Sequence, residues 1–302
     1  MALAQPKLYT RNLTPSKLDS MAAPRDYGLV TKIIHRTPRV EWTDILNLQQ
    51  LKNELQTTVL QPLSQQFLVR KRPPDTGIIL FGSPGNGKSM LAKALATGEA
   101  FYLAVSGELL TTTSLGEAAP ALASTFALAF QKQPCIICID QIDRVLAIPS
   151  LAQDLLMHMD KLTASDRIIV VGETSKVEHI TMPVRRRFTK RLFVAGPSFA
   201  ERVIILREQT KSDNAYGLRN DELEQIAYLT EHFSFRDLQA LLTETKNYAL
   251  KQVLHRLEDV GYVPLVTIET FKAVLKYVRS TTTRHTADFL KGWNREYGYF
   301  YS

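Results

Sequence analysis

Gly77-Ile-Ile-Leu-Phe-Gly82-Ser-Pro-Gly85-Asn-Gly87-Lys88-Ser89-Met90 is the stretch on which the reading of this sequence turns. The apolar run Ile78 to Phe81 reads as a buried strand, and Met90 to Thr97 reads as a helix. Between them stands Gly82-x-x-x-x-Gly87-Lys88-Ser89, a phosphate-binding loop in the strand–loop–helix setting that it requires. Glycines at 82, 85 and 87 let backbone N–H groups turn inward where a Cβ would block phosphate oxygens. The helix adds the positive end of its dipole. Lys88 is expected to reach the β- and γ-phosphates of a nucleoside triphosphate, and Ser89 to ligate Mg²⁺. The expected cradle is Gly82, Ser83, Pro84, Gly85, Asn86, Gly87, Lys88, Ser89 and Met90.

Working outward, strand runs follow at Phe101 to Val105, Cys135 to Ile139, Arg167 to Gly172 and Leu192 to Ala195. Helical patterns at Ala118 to Gln131 and Asp154 to Leu162 separate them, and another at Leu48 to Leu60 precedes the loop. Such alternation predicts the α/β class, a parallel five-stranded sheet with flanking helices on both faces. From about Ser198 the strand runs cease and helices recur. Ser234-x-x-Asp237 opens the best of these as a capping-box variant, with Leu238, Leu241, Leu242 and Ala249 on one face. The expected organisation is a flexible arm over 1–37 with a short helix at Pro24 to His35, a nucleotide-binding α/β domain over 38–197, and a helical lid with a C-terminal helix over 198–302.

The 302 residues are 45% hydrophobic and 22% charged, ordinary for a globular chain with a sizeable core. No apolar run is long enough to span a bilayer, and the basic N-terminus has no signal-peptide core. Asp19 and Asp26 interrupt a mitochondrial presequence. A net charge of +7 favours acidic partners, whether nucleic acid, a membrane surface or an acidic protein tail. No interleaved aromatic-basic stripe marks a nucleic-acid binder. The two cysteines, Cys135 and Cys138, sit three apart on a strand and point to opposite faces, so they read as core residues rather than a metal or redox pair. So few cysteines fit a reducing compartment.

About fifty residues after the loop, an apolar strand ends in Asp140, where the Mg²⁺-side carboxylate of such nucleotidases belongs. Gln141 follows it. Glutamine can hydrogen-bond a water but cannot accept its proton, and losing general-base help costs roughly 10²- to 10⁴-fold in rate.

The chain resembles AAA+ ATPases of the microtubule-severing branch, spastin and fidgetin above all. The residues that carry the resemblance are Gly77 to Lys93, Gln133-Pro-Cys-Ile-Ile-Cys-Ile-Asp140, Arg185-Arg-Arg-Phe-Thr-Lys-Arg191 and the terminal Trp293-Asn-Arg-Glu-Tyr-Gly298. Thr174-Ser175-Lys176 is similar to fidgetin. The resemblance implies a P-loop AAA+ fold, a ring of six subunits, ATP with Mg²⁺ between neighbours, and tubulin or microtubules as substrate. Arg186 and Arg187 match the paired arginines that reach a neighbour's ATP, although alone the run Arg185 to Arg191 reads as a solvated basic face. It also implies a cytoplasmic, cytoskeleton-associated or nuclear setting, and a homo- or hetero-hexamer with AAA+ subunits.

Four departures from that pattern bear on activity. Gln141 stands where a catalytic Glu is expected, and Ser175 where a water-positioning Asn is common. Thr113 and Ser114 replace the Lys and aromatic residue that grip substrate in the pore. Ile148 to Gln153 is much shorter than the second, charged pore loop. Arg236 falls near a sensing arginine of other AAA+ branches, though a surface arginine at a helix start is the plainer reading. Three readings follow: an ATP-binding, hydrolysis-poor ring module, an active severing enzyme, and a non-enzymatic adaptor or nucleic-acid binder.

Overall fold

Strands β1 (Gly77–Phe81), β2 (Phe101–Ser106), β3 (Cys135–Asp140), β4 (Ile168–Thr174) and β5 (Lys190–Phe193) pair in the order β2-β3-β4-β1-β5. Every pairing is parallel, so each connection must cross a face of the sheet, and helices do so. The computed structural model describes residues 40–60, 63, 76–96, 100–112, 115–163, 166–211, 213–255 and 265–299. The arm over 1–37, its helix at Pro24 to His35, and the pore positions Thr113 and Ser114 lie outside the described residues.

The helices in chain order are α1 (Gln49–Leu55), α2 (Lys88–Leu95), α3 (Gly107–Thr112), α4 (Leu115–Gln131), α5 (Ile142–Leu146), α6 (Pro149–Asp160), α7 (Met182–Arg187), α8 (Phe199–Lys211), α9 (Asn220–Leu229), α10 (Phe235–His255), α11 (Ile268–Val274) and α12 (Arg284–Tyr297). Strand alternation divides the sheet's apolar side chains between two cores. Ile79, Phe81, Ile137 and Val170 face one with α4 and α6, while Ile78, Leu80, Ile169 and Val171 face the other with α1 and α2. Cys135 belongs to the first core and Cys138 to the second, as their spacing predicts. Burial pushes the Cys135 thiol up to about 12, which leaves it inert.

A third core gathers α8, α9, α10 and α11 around Leu206, Ile226, Leu238, Leu241 and Phe271. The capping box at its head forms in both directions: Ser234 N–H donates to Asp237 (2.9 Å) and Asp237 N–H to Ser234 Oγ (3.1 Å). Helix α12 follows these helices in sequence but packs elsewhere. Its Leu290 and Trp293 join the α/β core, with Trp293 edge-on to Phe81 at 4.6 Å. Arg191 Nε donates to the Tyr297 carbonyl (2.6 Å), and Tyr299 N–H to the Arg191 carbonyl (2.8 Å). The terminal motif is thus a strap across β1 and β5, immediately behind the phosphate loop.

Removing the half-buried indole should therefore loosen the loop's support. Trp293→Ala is expected to cost roughly 2–4 kcal/mol of stability, towards the lower end of large-to-small core changes. Urea unfolding followed by circular dichroism measures it, and a midpoint equal to that of the unaltered chain would refute the strap.

Candidate functional site

Parallel strands bring their carboxyl ends to one edge of the sheet, where ligands of such folds bind. Phe81, Asp140 and Thr174 end β1, β3 and β4 there, and a cleft of about 600 Å³ opens beside them. Gly85, Gly87, Lys88, Ser89 and Met90 form its floor, while Asp140, Gln141 and Ser175 line one wall. Asp44 and Gln209 also line it, as do Phe235, Arg236 and Gln239 of α10.

Gly82, Gly85 and Gly87 all hold positive φ, and at the first two a Cβ would also clash. Gly82 has φ of 153°, and a Cβ there would strike the Val194 carbonyl. Gly85 has φ of 82°, and a Cβ would sit 2.6 Å from Ser234 Oγ, because the start of α10 presses on the loop. Arg236 N–H donates to the Gly85 carbonyl at 3.2 Å. The side chain of Arg236 lines the same cleft, so the residue read as a plain surface arginine borders the site. Ser83 and Asn86 point the other way. Their buried side chains line a second cavity of about 290 Å³ behind the loop, with Phe193, Arg202 and Thr282.

Lys88 Nζ donates to the carbonyls of Gly82 (2.8 Å) and Ser83 (3.0 Å). Burial pushes its ammonium pKa down, while the nearby carboxylates of Glu173, Asp140 and Asp143 pull it up. Ser89 Oγ donates to Glu173 Oε2 at 2.6 Å. Glu173 is only 2% exposed, and its other oxygen accepts from the Cys138 thiol at 3.0 Å. Burial raises the Glu173 carboxyl pKa, against the lowering pull of Ser89 and Cys138. Asp143, also buried, accepts from Thr174 Oγ1 at 2.6 Å and so fixes the turn after β4.

Sequence reasoning missed Glu173. It ends β4 at Gly172, yet the strand runs to Thr174. Extending the alternation of Ile169 and Val171 by one step would have placed a carboxylate on a buried face.

Asp140 is exposed at the end of β3, and Gln141 follows in a left-handed conformation, φ 50° and ψ 49°. Non-glycine residues seldom adopt that region, and here it heads α5 and sets the side chain's exit from the strand. The next segment, Ile148 to Gln153, is the N-cap and first turn of α6 rather than a loop, with Leu151 in the core.

The basic run is mostly occupied. Arg187 makes a two-pronged pair with Asp160 (2.9 and 2.7 Å), which also holds that carboxyl below its usual range. Arg185 donates to the Ile180 carbonyl and lies over the Tyr297 ring. Lys190, 1% exposed, pairs with Glu54 at 2.8 Å. Arg186 is exposed and makes none of these contacts, so the two arginines expected to act together are in different situations. The solvated-face reading fits only this one.

Residues 78–195 match the family "ATPase family associated with various cellular activities (AAA)". The chain is 29% identical over 306 residues to the ATPase family AAA domain-containing protein FIGL1 of Arabidopsis thaliana, covering 95% of this chain and 44% of that protein. It is 32% identical over 313 residues to spastin of Ixodes scapularis, covering 98% of this chain and 48% of the relative. The chain thus spans about half the length of the curated relatives it matches. Among solved structures, the FIGL-1 AAA domain in complex with ADP superposes with a TM-score of 0.84 at 26% identity, over 93% of this chain and 100% of that one.

Proposed function

We propose that this chain, which carries an AAA domain with fidgetin-like and spastin homologues, is a ring-forming module that holds ATP firmly and hydrolyses it slowly. One observation carries the reading: the phosphate loop shares its cleft with Gln141, at the position after Asp140 where the resemblance expects a catalytic glutamate. Binding needs Lys88, the loop and Mg²⁺, whereas activation of water needs a base that glutamine cannot supply. The FIGL-1 AAA domain was solved in complex with ADP, which supports nucleotide binding by this fold.

The donor set suits a hard cation, since Ser89 offers a hydroxyl and Asp140 a carboxylate at the cleft. Among the described residues no three His, Cys, Asp or Glu side chains form a metal group. The remaining ligands would therefore be phosphate and water oxygens. Mg²⁺ would neutralise charge on the phosphates, while Lys88 binds them and Ser89 orients the ion.

Assembly into a homo- or hetero-hexamer would place Arg186 of one copy at its neighbour's cleft, where a guanidinium stabilises the transferring phosphoryl group. A working severing enzyme that pulls acidic tubulin tails is the second reading. The net charge of +7 favours it; Gln141, and Thr113 and Ser114 at the expected pore grip, oppose it. Either reading fits a cytoplasmic, cytoskeleton-associated or nuclear setting. No helix among the described residues is long and apolar enough to cross a membrane.

Lys88→Ala is expected to weaken ATP affinity about 10²-fold, the worth of hydrogen bonds from one charged donor, and to abolish nucleotide-dependent assembly. Fluorescent-nucleotide titration and sedimentation velocity with and without ATP report the two effects. If the variant assembles with ATP as the unaltered chain does, ATP does not organise the ring.

A further inference from the structure

The carboxylate that touches Ser89 is not the one that the strand-end pattern selects. Ser89 Oγ lies 2.6 Å from Glu173 Oε2, while Asp140 is exposed and makes no hydrogen bond with Ser89. A serine hydroxyl has a single proton. To present a lone pair to a cation, it must send that proton to an acceptor on its other side. Glu173 is that acceptor here, at the short distance of a charge-assisted bond.

Glu173 is itself fixed. Its second oxygen accepts from Cys138, and Cys138 is hydrogen-bonded in turn to Tyr102. A connected series of polar groups therefore runs from β2 through β3 and β4 to the first turn of α2. Glu173 borders the cleft with both of its oxygens engaged, one by Ser89 and one by Cys138, which suits a positioning role.

We propose that Glu173 is the positioning residue for the divalent cation, holding Ser89 in the orientation that binds it, and that Asp140 contributes less to cation binding. The assignment rests on the reading of the cleft as a nucleotide site. It differs from the sequence expectation, which gives the Mg²⁺-side carboxylate to Asp140 alone. Ser89 and Glu173 act as a pair, so removing either should remove the same share of cation binding.

The test compares ADP affinity of the full chain in Mg²⁺ with that in EDTA, by calorimetric titration. The ratio of the two reads cation binding separately from phosphate binding. Glu173→Gln is expected to lower this ratio roughly 10- to 100-fold, as loss of a partner behind a metal ligand does, with EDTA affinity unchanged. Asp140→Asn should lower it less, and Ser89→Ala combined with Glu173→Gln should lose no more than Ser89→Ala alone. Should Glu173→Gln lose its fold by circular dichroism, Glu173→Asp carries the same test, because it withdraws the carboxylate by one methylene.

Two results would overturn the assignment: an unchanged ratio in the Glu173 variant, which includes an equal loss in EDTA and in Mg²⁺, or a larger loss from Asp140→Asn. A multiplicative loss in the double variant would do so too. Failure of the unaltered chain to bind ADP in either buffer would instead overturn the nucleotide reading itself, and this assignment with it.

Discussion

Gln141→Glu will raise steady-state ATP hydrolysis at least about 10²-fold while leaving nucleotide affinity within a few-fold, since general-base help is worth roughly 10²- to 10⁴-fold. The structure makes this a substitution of charge alone. Gln141 lines the cleft from a left-handed position at the head of α5. Gly107 packs so closely against its carbonyl that a Cβ there would overlap it, which pins the backbone. Glutamate has nearly the same shape, so it inherits the same exit direction and adds a proton acceptor. In energy the gain is roughly 3–5 kcal/mol off the barrier. Phosphate release at saturating ATP measures it. An unaltered chain that already turns over at about 1 s⁻¹ or faster would show that Gln141 does not limit hydrolysis.

The second large effect separates two neighbouring arginines. In the Gln141→Glu background, Arg186→Ala is expected to reduce hydrolysis about 10³-fold, the lower range for a trans-acting arginine. Arg187→Ala should cost less than about tenfold by the same reasoning, because its guanidinium is committed to Asp160 within its own subunit. That pair is partly exposed, so breaking it should change stability by no more than about 1 kcal/mol. Mixing offers a direct check of action in trans. Subunits with Gln141 in place retain Arg186 but lack the base, and Gln141→Glu subunits carrying Arg186→Ala have the base but lack the arginine; both keep Lys88 and can assemble. Mixed rings should recover activity that neither kind of subunit has alone. Equal losses from both arginines, or no recovery on mixing, would place the transferred charge elsewhere.

Much of the sheet was legible because its strands are continuous apolar runs. All five appear at their expected places, to within a few residues. The two cysteines fall on opposite faces because strand periodicity leaves no alternative. Glu173 escaped because Gly172 looks like a strand end, whereas here the glycine admits Ile142 from α5 and the strand continues. Residue types alone could not separate Arg186 from Arg187 either. The distinction depends on Asp160 at the end of α6, far away in sequence but opposite in space. Helix α12 illustrates the same limit. Its helical pattern placed it beside the other C-terminal helices, but its aromatic face answers to Phe81.

That last contact bears on how the protein is made. Phe81 emerges long before Trp293, so the phosphate loop's backing cannot close until the whole stretch between them has been translated. Contacts so distant in sequence form slowly and close the largest loops last. During elongation the nascent sheet will present an uncovered Phe81 and Phe193, which stack on each other at 5.4 Å in the finished protein. This is an apolar surface of the kind that chaperones cover and that aggregates when crowded. Competence to bind nucleotide should thus appear only after α12 has been made.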